Sequence, residues 1–169
     1  MRLEFGAPWS RSLKTASIVS IILLALIAVV GTLGLPARLW PARVLMVALP
    51  ATALAIGFVS VVSGYALSAS ELEVRRPLWS NSFPLTELLA VEGDPQAFKG
   101  ALRLFGNGGL FSFTGYFWTR KLGLYRAFAT DPQRAVVLKF ARRTIVITPD
   151  DPLRFIVRAR THLANPNRS

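Results

Sequence analysis

The chain contains no cysteine, a single histidine (His162) and only nine acidic side chains among 169 residues. Without cysteine there is no disulfide framework, no thiolate metal ligand and no thiol nucleophile. One histidine and scattered acids leave no metal-ligand cluster and no recognisable Ser-His-Asp arrangement. Asp150 and Asp151 are adjacent, but Pro152 follows them, so helix capping explains the pair better than acid–base chemistry. His162 falls near the end of the same helix, where a cation is favourable. Neither an enzyme nor a bound cofactor is expected.

Charge is also scarce, at 17% of residues against about 25% in a typical soluble domain. What charge there is leans one way: 20 Lys and Arg against nine Asp and Glu give +11. A mean hydropathy of +0.43 excludes disorder. It also argues against a plain nucleic-acid-binding domain, which would be basic and hydrophilic throughout.

Two long uncharged runs account for this composition. Thr15–Ala37 contains 23 residues without a charge and Val44–Ser70 contains 27. At about 1.5 Å rise per residue, the first makes a helix long enough for a hydrocarbon core of about 30 Å. Spans at about residues 16–35 and 44–66 are expected, joined by Pro36–Pro41 with its two helix breakers and interfacial Trp40. A cleaved signal peptide is the competing reading of the first run. Its apolar core is too long for that, no clear small-x-small site precedes Pro36, and a second span follows at once. Pro50 implies a kink within the second span, and Ser60 and Gly64 have the small-xxx-small spacing of a close-packing face. Arg2, Arg11, Lys14, Arg75 and Arg76 flank the hairpin on the side of the termini, against Arg38 and Arg43 in the loop. The positive-inside rule therefore favours a multi-pass protein of the cell membrane with both termini in the cytoplasm.

Residues 1–67 thus form a tail and hairpin, and residues 68–169 a second unit with a charged fraction near the soluble norm. Period-2 alternation over Glu71–Arg76 predicts a strand. Ser80–Leu85, Leu88–Glu92, Leu122–Ala129, Arg134–Phe140 and Arg143–Thr148 read as further strands, the last two joined by a short hairpin at Ala141-Arg142. A helix is expected over about 151–163, with Asp151 as N-cap and Phe155, Ile156, Ala159 and Leu163 on one face. About seven strands and one amphipathic helix suggest a mainly β barrel or sandwich capped by a C-terminal helix.

Arg103–Lys121 is the most unusual stretch. Asn107-Gly108 is a tight-turn signal, surrounded by Phe105, Leu110, Phe111, Phe113, Tyr116, Phe117 and Trp118. Gly106–Gly109 lacks the Lys-Ser/Thr of a P-loop. The aromatics either fill a small core or form a loop that dips into the membrane interface or holds a partner. The candidate contacts are Arg103, Phe111, Trp118, Arg120, Lys121, Arg154 and Arg158, the basic ones serving an anionic lipid. The alternative is that the positive residues are merely dispersed over a cytoplasmic surface.

At these residues the chain resembles a bacterial pleckstrin-homology-like (PH) domain family in its membrane-anchored form. RLFGNGGLF at Arg103–Phe111, LGLYRAFATD at Leu122–Asp131, RAVVLKF from Arg134 and TIVITPDDPLRF ending at Phe155 carry the resemblance, which covers about Tyr65–Leu163. It implies a strongly bent seven-stranded barrel or sandwich with a C-terminal helix. Lipid-binding relatives hold inositol phosphates with basic residues around the first hairpin loop. The corresponding turn here, Ser68–Glu71, has no Lys or Arg before Arg75, so no such headgroup site is carried over. The expected function is that of a non-enzymatic membrane protein whose PH-like domain binds a protein or peptide partner or anionic lipid. A structural subunit assembled through the hairpin is the alternative.

Overall fold

The computed structural model describes residues 2–164. Strand β1 (Leu3–Gly6) precedes helix α1 (Arg11–Gly34), and a single 3-10 turn at Ala37–Leu39 leads into α2 (Trp40–Val59). Strands β2 (Gly64–Leu67), β3 (Glu71–Arg75), β4 (Ser80–Pro84), β5 (Leu88–Gly93), β6 (Leu102–Gly108), β7 (Phe113–Thr119), β8 (Gly123–Ala129), β9 (Val136–Phe140) and β10 (Arg143–Ile147) follow, then helix α3 (Pro152–Ala164).

Both long helices form where the sequence is apolar and free of charge. Ser10 caps α1, its side chain accepting from the Leu13 N–H, and its own N–H donates to the Thr130 carbonyl. The two helices are long and apolar enough to cross a membrane, and most of their residues are exposed. At Gly31 an added Cβ would come within 2.7 Å of Met46 Sδ, so glycine lets the helices approach. The Arg43 Nε donates to the Leu35 carbonyl at 3.0 Å and closes the far turn. Helix α2 continues through Pro50.

The second helix ends sooner than its composition predicts. Residues expected to extend the span to 66 instead form β2, and Ser60 and Gly64 do not share a helix face. All four residues of β2 are buried, so GYAL shows no alternation and reads as a continuation of the apolar run. Strand β1, only four residues long in a basic tail, is likewise absent from the sequence reading. The two pair antiparallel, with Gly6 opposite Gly64. The sheet therefore begins in the tail, and a boundary at residue 68 would cut off two of its strands.

Two sheets pack face to face without closing into a barrel. One has the order β1-β2-β3-β4 and the other β5-β9-β10-β8-β7-β6, with β10 parallel to β8. Tyr65, Leu67, Leu72, Val74 and Phe83 meet Phe128, Leu138, Ile145 and Ile147 between them, and α3 closes one side with Phe155, Ile156 and Ala159. The expected apolar face of α3 is therefore the one that packs, and Asp151 Oδ1 accepts from the Arg154 N–H as its cap. A second core covers the other face of the larger sheet, where Phe117, Tyr125, Val137 and Val146 pack under Phe98. Burial on both faces explains the short apolar runs Val136–Leu138 of β9 and Ile145–Ile147 of β10. No residue of β6 or β7 enters the core between the sheets.

The β6–β7 reversal, Gly109–Ser112, docks on the helices. Ser17 Oγ accepts from the Phe111 N–H at 2.9 Å and donates to the Gly109 carbonyl at 3.3 Å, and Ser112 Oγ donates to the Ser60 carbonyl. A Cβ on Gly57 would stand 2.6 Å from Leu110. Asn107 lies within β6 instead of in a two-residue turn, its Oδ1 accepting from the Leu110 N–H. Gly106 and Gly115, paired across the strands, both have positive φ, and a Cβ on either would meet the facing backbone carbonyl near 2.3 or 2.1 Å.

Tyr65 joins the two sheets. Its hydroxyl donates to the Phe128 carbonyl at 2.6 Å and accepts from the Thr148 N–H at 3.1 Å. Burial pushes its pKa up to about 12, the Thr148 hydrogen bonds opposing the rise, and Tyr125 is likewise pushed up to about 12 by burial.

Tyr65 and Tyr125 remain neutral in the fold where an unfolded phenol, near pH 10, ionises. Their stabilisation is complete below pH 10 and is lost as pH rises toward 12, so the melting temperature in detergent should fall across that window. Tyr65→Phe should reduce that slope and cost about 1–3 kcal/mol at neutral pH by stranding buried backbone groups. Ser17→Ala should cost a similar amount and speed amide exchange at Gly109–Ser112 while leaving helicity by circular dichroism unchanged.

Candidate functional site

Exposed apolar and basic groups gather where the larger sheet outruns the smaller one. Because β6 and β7 lack a covering sheet, one face of β6–β8 stays open. Register places Leu102, Trp118 and Leu124 in one cross-strand row, and Phe105, Tyr116 and Arg126 in another. Phe105 is 77% exposed, Leu102 60% and Trp118 39%, which is far more apolar surface than core packing leaves. The opposite face of the same strands carries Phe117 and Tyr125 into the second core. Strand β6 is the sheet edge, and a bulge at Leu104, between the Arg103 and Phe105 pairings, interrupts its ladder.

The aromatic run therefore serves three purposes. Phe113 and Phe117 pack in the second core, Leu110 and Phe111 seat the loop on the helices, and Phe105, Tyr116 and Trp118 face outward. Phe111 is half-buried, at φ +66°, with its ring 6.0 Å from Trp9. It is a docking residue at the foot of the helices.

The remaining candidates fall into separate places. Arg120 and Lys121 lie exposed at the end of β7 away from the helices, roughly 20 Å along the strand from the docked loop. With Trp118, Leu102 and Lys99 they line a cavity of about 550 Å³, and Lys121 Nζ pairs with Asp94 at 2.7 Å. Asp94 is held below its ordinary carboxylate range chiefly by that hydrogen bond. Arg103 is exposed on β6, on the face opposite Trp118. Arg154 and Arg158 are exposed on α3, the Arg154 guanidinium 6.0 Å from the Phe5 ring. The seven candidates thus do not form one patch, and only Trp118, Arg120 and Lys121 share a cavity. His162 is half-buried in the last turn of α3. Among the described residues no group of three His, Asp or Glu could hold a metal ion.

A different basic pair lies at the foot of α2. Arg76, just beyond β3, and Arg126 of β8 both line a cleft of about 550 Å³ between α2 and strands β6–β8. Their guanidinium carbons stand 5.1 and 4.8 Å from the centre of the Phe128 ring. Burial first, and Arg126 second, lowers the Arg76 pKa. Sequence alone does not pair them, since 50 positions separate the two and the packing of one sheet on the other brings them together. The one local signal is the alternation Leu124-Arg126-Phe128, which puts a charge on an otherwise apolar face.

Neither the curated proteins nor the solved structures contain a match to this chain. A family model does match: Bacterial PH domain, over residues 63–163, which takes in β2 through α3. That match covers more than half of the chain and starts at the strand that the apolar run conceals. The two-sheet fold with its C-terminal helix agrees with it, and the chain belongs to the bacterial PH domain family.

Proposed function

We propose that this protein is a non-enzymatic, membrane-anchored binding module. Helices α1 and α2 cross the bilayer as a hairpin and hold the PH domain against the leaflet beneath them. Arg11 and Lys14 at the start of α1, with Arg76 and Arg126 beside the end of α2, ring the domain-side foot of the hairpin. Only Arg38 and Arg43 flank the far turn. That asymmetry supports a cytoplasmic domain and cytoplasmic termini.

The observation that carries the binding role is the open row Leu102–Trp118–Leu124. An apolar row containing a half-exposed tryptophan, rimmed by Lys99 and Arg120, has the composition of a protein interface. Its complement is a protein segment with an apolar face bordered by acidic residues. The bulge at Leu104 interrupts the β6 edge, so side chains, more than an added strand, supply the contact. The domain's excess of basic residues favours the same acidic partner through steering.

Photo-crosslinking of the full chain in its membrane tests this reading. A photoreactive residue at Leu102 or Leu124 should give a discrete protein adduct, whereas the same residue at exposed Leu153 of α3 should give none. Trp118→Ala should weaken capture by on the order of 2 kcal/mol, the effect of removing an interface anchor. Adducts that arise equally at Leu153, or survive Trp118→Ala unchanged, would sink the proposal. Adducts confined to lipid-facing positions such as Ile22 would favour a subunit assembled through the hairpin.

A further inference from the structure

We infer that the cleft at the foot of α2 is a binding site for an anionic phospholipid, its headgroup phosphate held between Arg76 and Arg126 and an acyl chain running along α2. This deepens the membrane-anchor reading above and rests on the hairpin lying in a bilayer.

The headgroup end is defined by two cations without a counter-ion. Six ion pairs occur among the described residues, and neither Arg76 nor Arg126 belongs to any of them. They take up Glu73, Glu4, Asp94, Asp131, Glu92 and Glu87. Of the three other acids, Asp151 caps α3, Asp150 accepts the Asp151 N–H, and Glu71 is exposed at the start of β3. Arg76 Nη1 donates to the Ser60 carbonyl at 3.3 Å, while its Nε is buried with no hydrogen-bond partner. Arg126 leans on Tyr116 and Phe128. Two guanidinium groups share one aromatic ring, repel each other and leave a donor unused in a partly desolvated cleft. Such an arrangement is costly when empty and is relieved by an anion. A phosphate offers oxygens enough for both planar forks.

The rest of the cleft selects a lipid over a soluble anion. Above the arginines its wall is Ala53, Ile56 and Gly57, faced by Phe105. Ala53 also lines a second, almost wholly apolar crevice of about 290 Å³, between Leu24 and Ile27 of α1 and Leu45 and Leu49 of α2. One apolar path therefore leads from the cations into the groove between the helices. From Ser60 to Pro50 it climbs roughly 15 Å, which is about the depth of one hydrocarbon leaflet. A free phosphate would use only the lower end of this site. A lipid uses all of it.

The test uses the full-length protein in detergent, with lipid retention read by native mass spectrometry. Dioleoylphosphatidylglycerol should bind one per chain, and dioleoylglycerol, with the same tails and no phosphate, should not. Arg76→Gln and Arg126→Gln should each weaken phosphatidylglycerol binding roughly tenfold. Arg142→Gln, in the exposed turn between β9 and β10, should leave it unchanged. Ala53→Trp, which fills the acyl path and touches neither arginine, should also weaken it, so the outcome does not depend on the arginine variants folding. Unchanged affinity in both arginine variants, or in Ala53→Trp, overturns the site. Equal retention of dioleoylglycerol overturns the headgroup role. Displacement of the lipid by millimolar inorganic phosphate would make the ligand a soluble anion and overturn the lipid assignment. Extraction of the full chain from membranes by alkaline carbonate would instead overturn the spanning hairpin itself, a separate failure.

Discussion

The pairing of Gly6 with Gly64 is the constraint on which the rest of the molecule depends. The chain leaves the smaller sheet at one of these residues and returns at the other, so both helices and their connection occupy the turn of a single β-hairpin. Directly opposed residues in an antiparallel ladder lie about 5 Å apart. This fixes where both helices meet the domain. A Cβ on Gly64 would stand 2.9 Å from the Phe5 carbonyl, so the close approach needs glycine there. Around this ladder, Arg75 reaches Glu4 at 2.6 Å and Arg2 pairs with Glu73, both across the intervening strand β2. These pairs are surface-exposed and add little each. The buried Phe5, Tyr65 and Val74 carry the energy.

Two further contacts turn that hinge point into a docked unit. Ser17 bonds two backbone groups of the β6–β7 loop, and Ser112 reaches the end of α2. Because β1–β2 holds one side of the helices and the loop holds the other, the sheet cannot pivot freely beneath the hairpin. The larger sheet is longer than its partner, and its last strands extend past the core on the side where α2 ends. Surface left bare by the sandwich is therefore placed beside the helices and their cations.

Legibility in the sequence tracked how many faces of an element are buried. The end of the domain read well: Asp151-Pro152 announces α3, and Phe155, Ile156 and Ala159 mark its packed face, as observed. The Ala141-Arg142 hairpin and the strands around it are also where alternation and turn chemistry put them. Strand β2 was hidden because full burial removes period-2 alternation, and its residues then continue the hydrophobic run of α2. Strand β1 was hidden because four residues carry too little pattern. The aromatic stretch was legible as unusual but not as divided, because pairing register and the end of the covering sheet decide which ring is buried. Arg103 and Trp118 illustrate this, since they lie in one stretch of sequence but on opposite faces of adjacent strands.

Charge placement obeys the same logic. Most acids of this basic domain sit beside lysine or arginine, so the net excess is carried by the cations outside those pairs, and their surroundings differ. Arg120 remains at the far end of β7, in solvent, where its charge is screened and cheap to keep. Arg76 and Arg126 remain at the foot of α2, half-buried against Phe128, where desolvation makes an unpaired charge expensive. A fold selected for stability alone would place a hydrophobic residue or an acid there. That it keeps two arginines, with an apolar path leading away from them along α2, is the strongest argument that the cleft is shaped for something the chain itself does not contain.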